Sequence, residues 1–231
     1  MKTKQLLGIT AGLMVWAGVA WAQQTSETNF TFVVNQGVLD ANDNGLILMT
    51  NLTIGGGSIS NVTVALDITG GFNGDLYAFL AGPNGGFAVL LNRVGVSNNA
   101  SSFGYVNHGF DIVVSDTGAN DVHYYQSGSY LLNGNGQLTG TWVPDGRNID
   151  PKAAPSLFGS TAPSALLGSF QGTDPNGLWT LYLADLSTGG HSTVASWSLD
   201  VITVPEPTTV VLGIMGLAFL AGYNFCRRKD S

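Results

Sequence analysis

Apolar and polar residues alternate between Asn61 and Thr69, and this alternation limits the fold more than any other feature of the sequence. The apolar residues occupy every second position: Val62, Val64, Leu66 and Ile68. Successive side chains of a strand point to opposite faces, so this stretch is expected to form a strand with one buried face. Residues 23–207 contain no sustained apolar stripe at helical spacing. The sequence therefore predicts an all-β fold.

Short apolar runs separated by turn residues recur along the chain. They predict strands at residues 31–34, 46–54, 61–69, 75–81, 86–91, 110–115, 140–143, 166–170, 179–186 and 196–204. Between two of them, Gly82-Pro83-Asn84-Gly85 is a strong hairpin signal. About ten antiparallel strands suit two packed sheets, which predicts a jelly-roll-like β-sandwich. Trp179 and Trp197 fall near the end of this series and are expected to anchor the core.

The middle of the chain is rich in Ser, Asn, Gly and Tyr, mainly in residues 98–109 and 117–136. Connections of this length are either functional or insertions over the sandwich. Two interpretations of their tyrosines remain open, since these rings can stack on sugar rings or can anchor the loops: Tyr105, Tyr124, Tyr125 and Tyr130. The histidines are expected to be exposed loop residues: His108, His123 and His191.

The C-terminal part of the chain has three parts in a fixed order. Val204-Pro205-Glu206-Pro207 is followed by an uncharged segment and then by Arg227, Arg228 and Lys229. The uncharged segment is near the lower limit of about 17–25 residues for a membrane-spanning helix, and a basic cluster favours the cytoplasmic side. The prolines cannot continue a helix backward. We therefore predict a spacer at 205–207, a transmembrane helix at 208–226 and a basic cytoplasmic tail at 227–231.

This three-part tail resembles the PEP-CTERM sorting signal of Gram-negative bacteria. The resemblance implies an exosortase-type sorting protease as a partner, with membrane anchoring followed by transfer to the cell surface or the extracellular matrix. A simple C-terminal anchor is the alternative interpretation.

The N-terminal residues have the order of a secretory signal peptide. Lys2 and Lys4 precede an apolar stretch at 6–19, and Ala20-Trp21-Ala22 forms an A-x-A-like cleavage site. Residues 1–22 are therefore predicted to be a signal peptide, and residues 23–204 to be the exported β-sandwich.

The exported part is strongly acidic. Residues 23–207 contain fourteen acidic residues but only Arg93, Arg147 and Lys152 as basic ones, a formal charge of −11. Such a surface repels nucleic acid and suits divalent cations or neutral polymers. Cys226 is the single cysteine, so the sandwich is expected to be stable without a disulfide.

The sandwich also resembles the P domain (P/Homo B) that follows the catalytic domain of subtilisin-like proprotein convertases. The matching segments are Asn61–Thr69, Gly74-Asp75-Leu76, Gly82–Gly85, Phe170, Pro175–Leu181, Asp185 and Ser196-Trp197-Ser198-Leu199. The resemblance covers roughly residues 35–204 and implies a β-sandwich that accompanies a protease.

Motifs of catalytic sites are missing from the sequence. It contains no Gly-x-Ser-x-Gly, no His-Glu-x-x-His, no cysteine cluster and no phosphate-binding loop. We therefore expect a non-enzyme, an exported cell-surface or matrix protein that binds exopolysaccharide or other surface proteins. The alternative is a secreted hydrolase or an accessory partner of a separate protease.

Calcium is the cofactor for which the sequence offers candidate ligands. Asp40-Ala41-Asn42-Asp43-Asn44-Gly45 fits the first half of an EF-hand-type loop, but position twelve is Asn51 instead of Glu. The other candidates lie at predicted strand ends: Asp67, Asp75, Asp174 and Asp185. These carboxylates are either calcium ligands or caps of turn N–H groups.

Overall fold

The computed structural model describes residues 24–98, 101–205, 213 and 215–220. Within these residues the chain forms nine strands: β1 (Ser26–Gly37), β2 (Asn42–Leu52), β3 (Ser58–Gly70), β4 (Leu76–Ala81), β5 (Phe87–Asn92), β6 (Gly109–Val114), β7 (Leu138–Trp142), β8 (Gly177–Asp185) and β9 (Ser192–Val204). One sheet has the order β1-β9-β3-β6-β7 and the other the order β2-β8-β4-β5. The prediction of a mainly β fold with two sheets is confirmed.

The core lies between the two sheets, where the alternating residues of each strand meet. On β3, Val64 and Ile68 are fully buried, whereas Asp67 points to the outer face of its sheet. Trp179 and Trp197, on β8 and β9, are also buried. The period-two pattern in the sequence therefore identifies the face of β3 that packs in the core.

The turn between β4 and β5 follows the predicted hairpin. Asn84 and Gly85 have φ values of 61° and 85°, a left-handed backbone that Asn and Gly adopt more readily than other residues. The Gly82 N–H donates to the Gly86 carbonyl at 2.9 Å. The turn thus joins two antiparallel strands, with Ala81 opposite Phe87.

The prediction of a strand at 166–170 is wrong, because Leu167–Phe170 forms a short 3-10 helix. The carboxylate of Asp116 accepts the backbone N–H groups of Leu167 and Gly168, at 3.1 and 2.6 Å. The ring of Phe170 lies 5.1 Å from that of Trp179. This apolar run is buried because Phe170 fills the core, without any ladder of strand hydrogen bonds.

The prediction that all strands are antiparallel is also wrong, since β6 and β7 pair in parallel. Two parallel neighbours need a connection of a dozen or more residues between them. The connection here runs from Ser115 to Gln137 and contains a 3-10 helix at Val122–Ser127. The next connection, from β7 to β8, contains helix α1 (Pro155–Ser160). Side chains of these two connections meet, and they build the site described below.

The C-terminal segment is described only in part. Residues 213 and 215–220 are helical. Within the described residues, no helix is both long enough and apolar enough to cross a membrane. Three predicted features lie outside the described residues: the signal peptide at 1–22, the rest of the helix at 208–226 and the basic tail at 227–231.

Candidate ligand pocket

A pocket of about 250 Å³ opens beside the connection from β6 to β7. Aromatic side chains and small polar side chains border it: Asn120, Asp121, Tyr124, Tyr125, Ser127, Gly128, Ser129 and Trp142. All of these except Trp142 lie in the long loop that the sequence identified by its composition. Trp142 is the last residue of β7, so the pocket joins the loop to the edge of the sheet.

The aromatic floor of the pocket is rigid. Tyr125 and Trp142 are only 1% and 6% exposed, and their rings lie 6.1 Å apart in an edge-to-face arrangement. Tyr105 packs on the other side of Tyr125 at 4.6 Å. The Tyr125 hydroxyl donates to Asn107 at 2.8 Å, and burial raises the pKa of Tyr125 to about 12. Tyr125 therefore anchors the loop, which is one of the two roles that the sequence left open.

Two walls of the pocket, Asp121 and Tyr124, are fixed by Arg147 from the following connection. One Asp121 oxygen accepts from the Arg147 guanidinium at 2.8 Å, and the other caps the 3-10 helix by accepting the His123 N–H at 2.8 Å. The guanidinium carbon lies 5.0 Å from the centre of the Tyr124 ring, within the range of a cation–π interaction. Both walls therefore have a defined position before any ligand arrives.

A buried polar network supports Arg147. Its Nη1 donates to the Asp145 carboxylate at 3.2 Å, and its Nε donates to the Phe158 carbonyl at 2.9 Å. Burial alone lowers the pKa of Arg147, but Asp121 and Asp145 outweigh this and raise it above the ordinary value. Arg147 is thus a fixed cation, with its donors directed at carboxylates and carbonyls.

His123 completes this network, and the prediction that it is exposed is wrong. Its ring is fully buried, with Nδ1 2.6 Å from the Asp145 carboxylate and Nε2 3.0 Å from the Val96 carbonyl. Sequence reasoning missed this because Asp145 lies 22 residues away, in a segment that has the composition of an ordinary turn. His108 and His191 are exposed, as predicted.

Two of the four proposed calcium ligands, Asp75 and Asp185, come together at the C-terminal end of β8. The Asp75 carbonyl accepts the Leu186 N–H at 2.9 Å, and Leu76 pairs with Asp185 across the strands. Asp75 and Asp185 are 4% and 0% exposed, and one Asp185 oxygen has no hydrogen-bond partner among the described residues. Burial, followed by the charges of Asp75 and Asp40, raises the pKa of Asp185 to about 6. Burial also raises the pKa of Asp75.

The remaining two candidates lie elsewhere. Asp67 accepts a hydrogen bond from Gln137 at 2.9 Å on the outer face of the first sheet, and Asp174 caps a turn through the Asn176 N–H at 3.0 Å. The described residues hold no group of three or more His, Cys, Asp or Glu side chains that could bind a metal ion. Calcium binding therefore remains a prediction, and of the four candidates only Asp75 and Asp185 lie close to each other.

The loop from Asp40 to Gly45 makes a long-range contact and a local turn contact. Asp40 accepts the Gly189 N–H at 3.1 Å, and the Asn42 side chain accepts the Asn44 N–H at 2.8 Å. Both contacts match the capping role that was the alternative to calcium binding.

The sorting motif begins where the sandwich ends. Val204 is the last residue of β9 and pairs with Ser58, and Pro205 follows directly. Other residues of the predicted motif and its flank lie outside the described residues: Glu206, Pro207, Arg227, Arg228 and Lys229.

Comparison with known proteins identifies the tail. Residues 203–229 match the family model of the PEP-CTERM protein-sorting motif. This motif implies export, sorting to the cell surface and recognition by an exosortase-type system. A search of curated proteins finds no match to the chain.

Two solved structures from Aeromonas sobria are distantly similar. The complex of a serine protease with its chaperone has 14% identity and a TM-score of 0.44, over 78% of this chain and 27% of that one. The serine protease alone has 12% identity and a TM-score of 0.43, over 81% of this chain and 28% of that one. The chain thus spans less than a third of the length of either matched chain.

Proposed function

We propose that this chain is an exported, non-catalytic cell-surface or matrix protein that binds polysaccharide through the loop pocket at Asp121 and Tyr124. The observation that carries the proposal is the rigid pocket itself, in which a buried ionic network holds two of the walls. Binding sites are commonly built on loops that a rigid scaffold positions.

The lining of the pocket matches the chemistry of a sugar. Ligand sites combine apolar and aromatic walls with a few placed polar groups. Here the half-buried Tyr124 ring supplies apolar surface, while Asn120, Ser127 and Ser129 supply neutral groups that both donate and accept hydrogen bonds. A sugar ring has the matching combination of hydroxyl groups and C–H faces.

The geometry of the buried pair His123 and Asp145 supports a non-catalytic role. A general base must come within hydrogen-bond reach of a substrate. The His123 ring is fully buried, and its Nε2, the atom that serves a nucleophile in a Ser-His-Asp triad, faces the Val96 carbonyl. This geometry favours a structural role for the pair.

We also infer that the sandwich is a jelly roll related to the P domain. The order β1-β9-β3-β6 faces the order β2-β8-β4-β5, and eight strands in two sheets are the arrangement of a jelly roll, with β7 as an addition. The segment that resembles the P-domain closing pattern is buried around Trp179, whose indole N–H donates to the Pro175 carbonyl at 2.9 Å.

A second candidate function is that of an accessory partner of another exported protein, such as a separate protease. It is supported by β2, which is an edge strand with Ile47 and Met49 54% and 66% exposed. An exposed apolar edge strand can pair with a strand of a partner. Charge substitutions there, such as Ile47→Lys, would abolish partner capture but leave polysaccharide binding intact.

A pull-down with exopolysaccharide isolated from the producing cells tests the favoured function. The protein purified from cells should be retained, and Tyr124→Ala should lose most of the retention, because this ring borders the pocket. Phe103→Ala is the matched control, since Phe103 is a 72% exposed aromatic residue on another loop. Equal retention of both variants, or no retention of the parent protein, would contradict the proposal.

A fractionation experiment tests the proposed fate of the protein. We propose that the C-terminal segment first anchors the chain and that sorting then releases it to the surface or the matrix. Mass spectrometry of the extracellular protein should therefore show a product that ends near Pro207. A product that keeps Arg228 and stays in the membrane fraction would indicate a simple anchor.

A further inference from the structure

Among the described residues that line the pocket, Asp121 is the only one with a charged side chain. Each of its carboxylate oxygens accepts one hydrogen bond from the protein, from Arg147 and from the His123 N–H. A carboxylate oxygen has room for a second donor. The Asp121 side chain is 27% exposed and borders the pocket, so a ligand in the pocket lies beside this carboxylate.

The electrostatic surroundings of the pocket disfavour an anionic ligand. Among the described residues that line it there is no Lys or Arg. Arg147 lies behind the wall, where Asp121 and Asp145 both neutralise it. The exported part of the chain carries a formal charge of −11, so a second anion brought next to Asp121 would meet a carboxylate and no free cation.

The size of the pocket suits a small unit of a polysaccharide. Its volume is about 250 Å³, whereas sites for drug-sized ligands span roughly 300–1,000 Å³. One six-membered sugar ring is of suitable size. A longer polysaccharide would then place a single residue in the pocket and leave its neighbours outside.

We propose that the pocket binds one neutral pyranose ring and that Asp121 is the residue that rejects uronic acid units. This inference rests on the proposed polysaccharide-binding function and gives its ligand class. The hydroxyl groups of a neutral sugar donate to the free acceptor positions of Asp121. The carboxylate of a uronic acid has no hydrogen to donate there, and it is repelled by the charge.

The buried network positions Asp121 more than it stabilises the fold. Buried ion pairs lose hydration and are often no more stable than apolar replacements. His123, Asp145 and Arg147 are at most 4% exposed. Well-packed apolar residues in their place would therefore give about the same folding stability. The network does fix a carboxylate at a pocket wall with both oxygens oriented, as recognition of sugar hydroxyls requires.

The test uses methyl glycosides of glucose, galactose and mannose, each beside the methyl glycoside of the corresponding uronic acid. Dissociation constants are measured by ligand-observed NMR with the protein purified from cells. At least one neutral glycoside should bind about tenfold more tightly than its uronic counterpart, a difference of about 1.4 kcal/mol. In Asp121→Asn this ratio should fall below about threefold, because the amide removes the charge but still accepts from the His123 N–H.

A second variant keeps the test decisive if Asp121→Asn does not fold. Asn120 is an exposed residue of the pocket lining, so Asn120→Asp adds a negative charge without disturbing the core. It should increase the preference for the neutral sugar.

The possible failures can be told apart. If the exopolysaccharide is retained but no glycoside binds, or if neither variant changes the preference, the one-ring inference is wrong and the proposed function stands. If neither the polysaccharide nor any glycoside binds, the proposed function itself fails.

Discussion

Replacement of Asp185 by Asn tests whether a buried carboxylate destabilises this sandwich at neutral pH. Asp185 is fully buried and one of its oxygens has no partner among the described residues. Its pKa is about 6 in the folded protein, against an ordinary value of 3.8. The folded protein therefore binds this proton more tightly than the unfolded chain does. The contribution of Asp185 to stability is therefore largest below pH 4, falls as the pH rises to about 6, and then stays level.

The size of the effect follows from the same pKa difference. At about 1.4 kcal/mol per pH unit, ionisation of Asp185 costs roughly 3 kcal/mol of folding free energy. An amide in its place is neutral at every pH and still accepts the Ser187 N–H that Asp185 accepts at 3.4 Å. Asp185→Asn should therefore be about 1–3 kcal/mol more stable than the parent at pH 7.5, and nearly equal to it at pH 4.

Urea denaturation at pH 7.5 and pH 4, in the presence of a chelator, measures this difference. Asp174→Asn is the control, because Asp174 is an exposed turn cap and no pH-dependent gain is expected. If Asp185→Asn is less stable than the parent at pH 7.5, or if its effect is the same at both pH values, the reasoning from burial is refuted.

Three further predictions concern calcium, the buried network and the core. Calcium at about 100 times its dissociation constant should stabilise the parent protein by about 2.7 kcal/mol, and it should not stabilise Asp185→Asn. An unchanged melting temperature of the parent protein in millimolar calcium would show that the prediction of a calcium site is wrong. Arg147→Met should lower the free energy of unfolding, measured by urea denaturation, by about 3–5 kcal/mol, because it leaves two carboxylates without their cation. Lys152→Met should lower it by less than about 1 kcal/mol, because Lys152 and its partner Asp43 are 53% and 61% exposed. Similar losses for the two variants would contradict the account of the network. Leu66→Ala should lower the free energy of unfolding by about 2–5 kcal/mol, because Leu66 is 1% exposed. Its denaturation midpoint should lie well below that of Val33→Ala, because Val33 is 78% exposed. Equal midpoints would contradict the assignment of the core face.

Features set by neighbouring residues could be predicted from the sequence. The alternation around Leu66 and Ile68 identified a buried strand face, and the turn at Asn84 and Gly85 follows from residues that accept a left-handed backbone. The prediction of a strand at 166–170 was wrong because a short apolar run is compatible with more than one buried conformation. Its conformation depends on Asp116, about fifty residues earlier, which caps the 3-10 helix.

The candidate site could be predicted only in part, for the same reason. Composition identified the loop and its tyrosines, including Tyr124, because the segment itself is rich in Gly, Ser and Tyr. The partners that fix the site come from another connection, and nothing in the sequence near Asp121 or His123 indicates Arg147 or Asp145. Contacts between distant segments, which carry no periodic signal, decide which of the loop tyrosines border a pocket.

The parallel pairing of β6 with β7 explains why the pocket lies in this loop. An antiparallel neighbour can be reached by a two-residue turn, but a parallel neighbour requires the chain to return to the starting end of the strand. The residues from Ser115 to Gln137 make that return, so their length is imposed by the sheet. A return loop without contacts would be mobile, and Tyr125 and Asp121 connect this one to the core and to Arg147. The contacts that order the loop also create a concave surface with fixed walls, so the proposed binding at Asp121 and Tyr124 would require no further ordering of the chain.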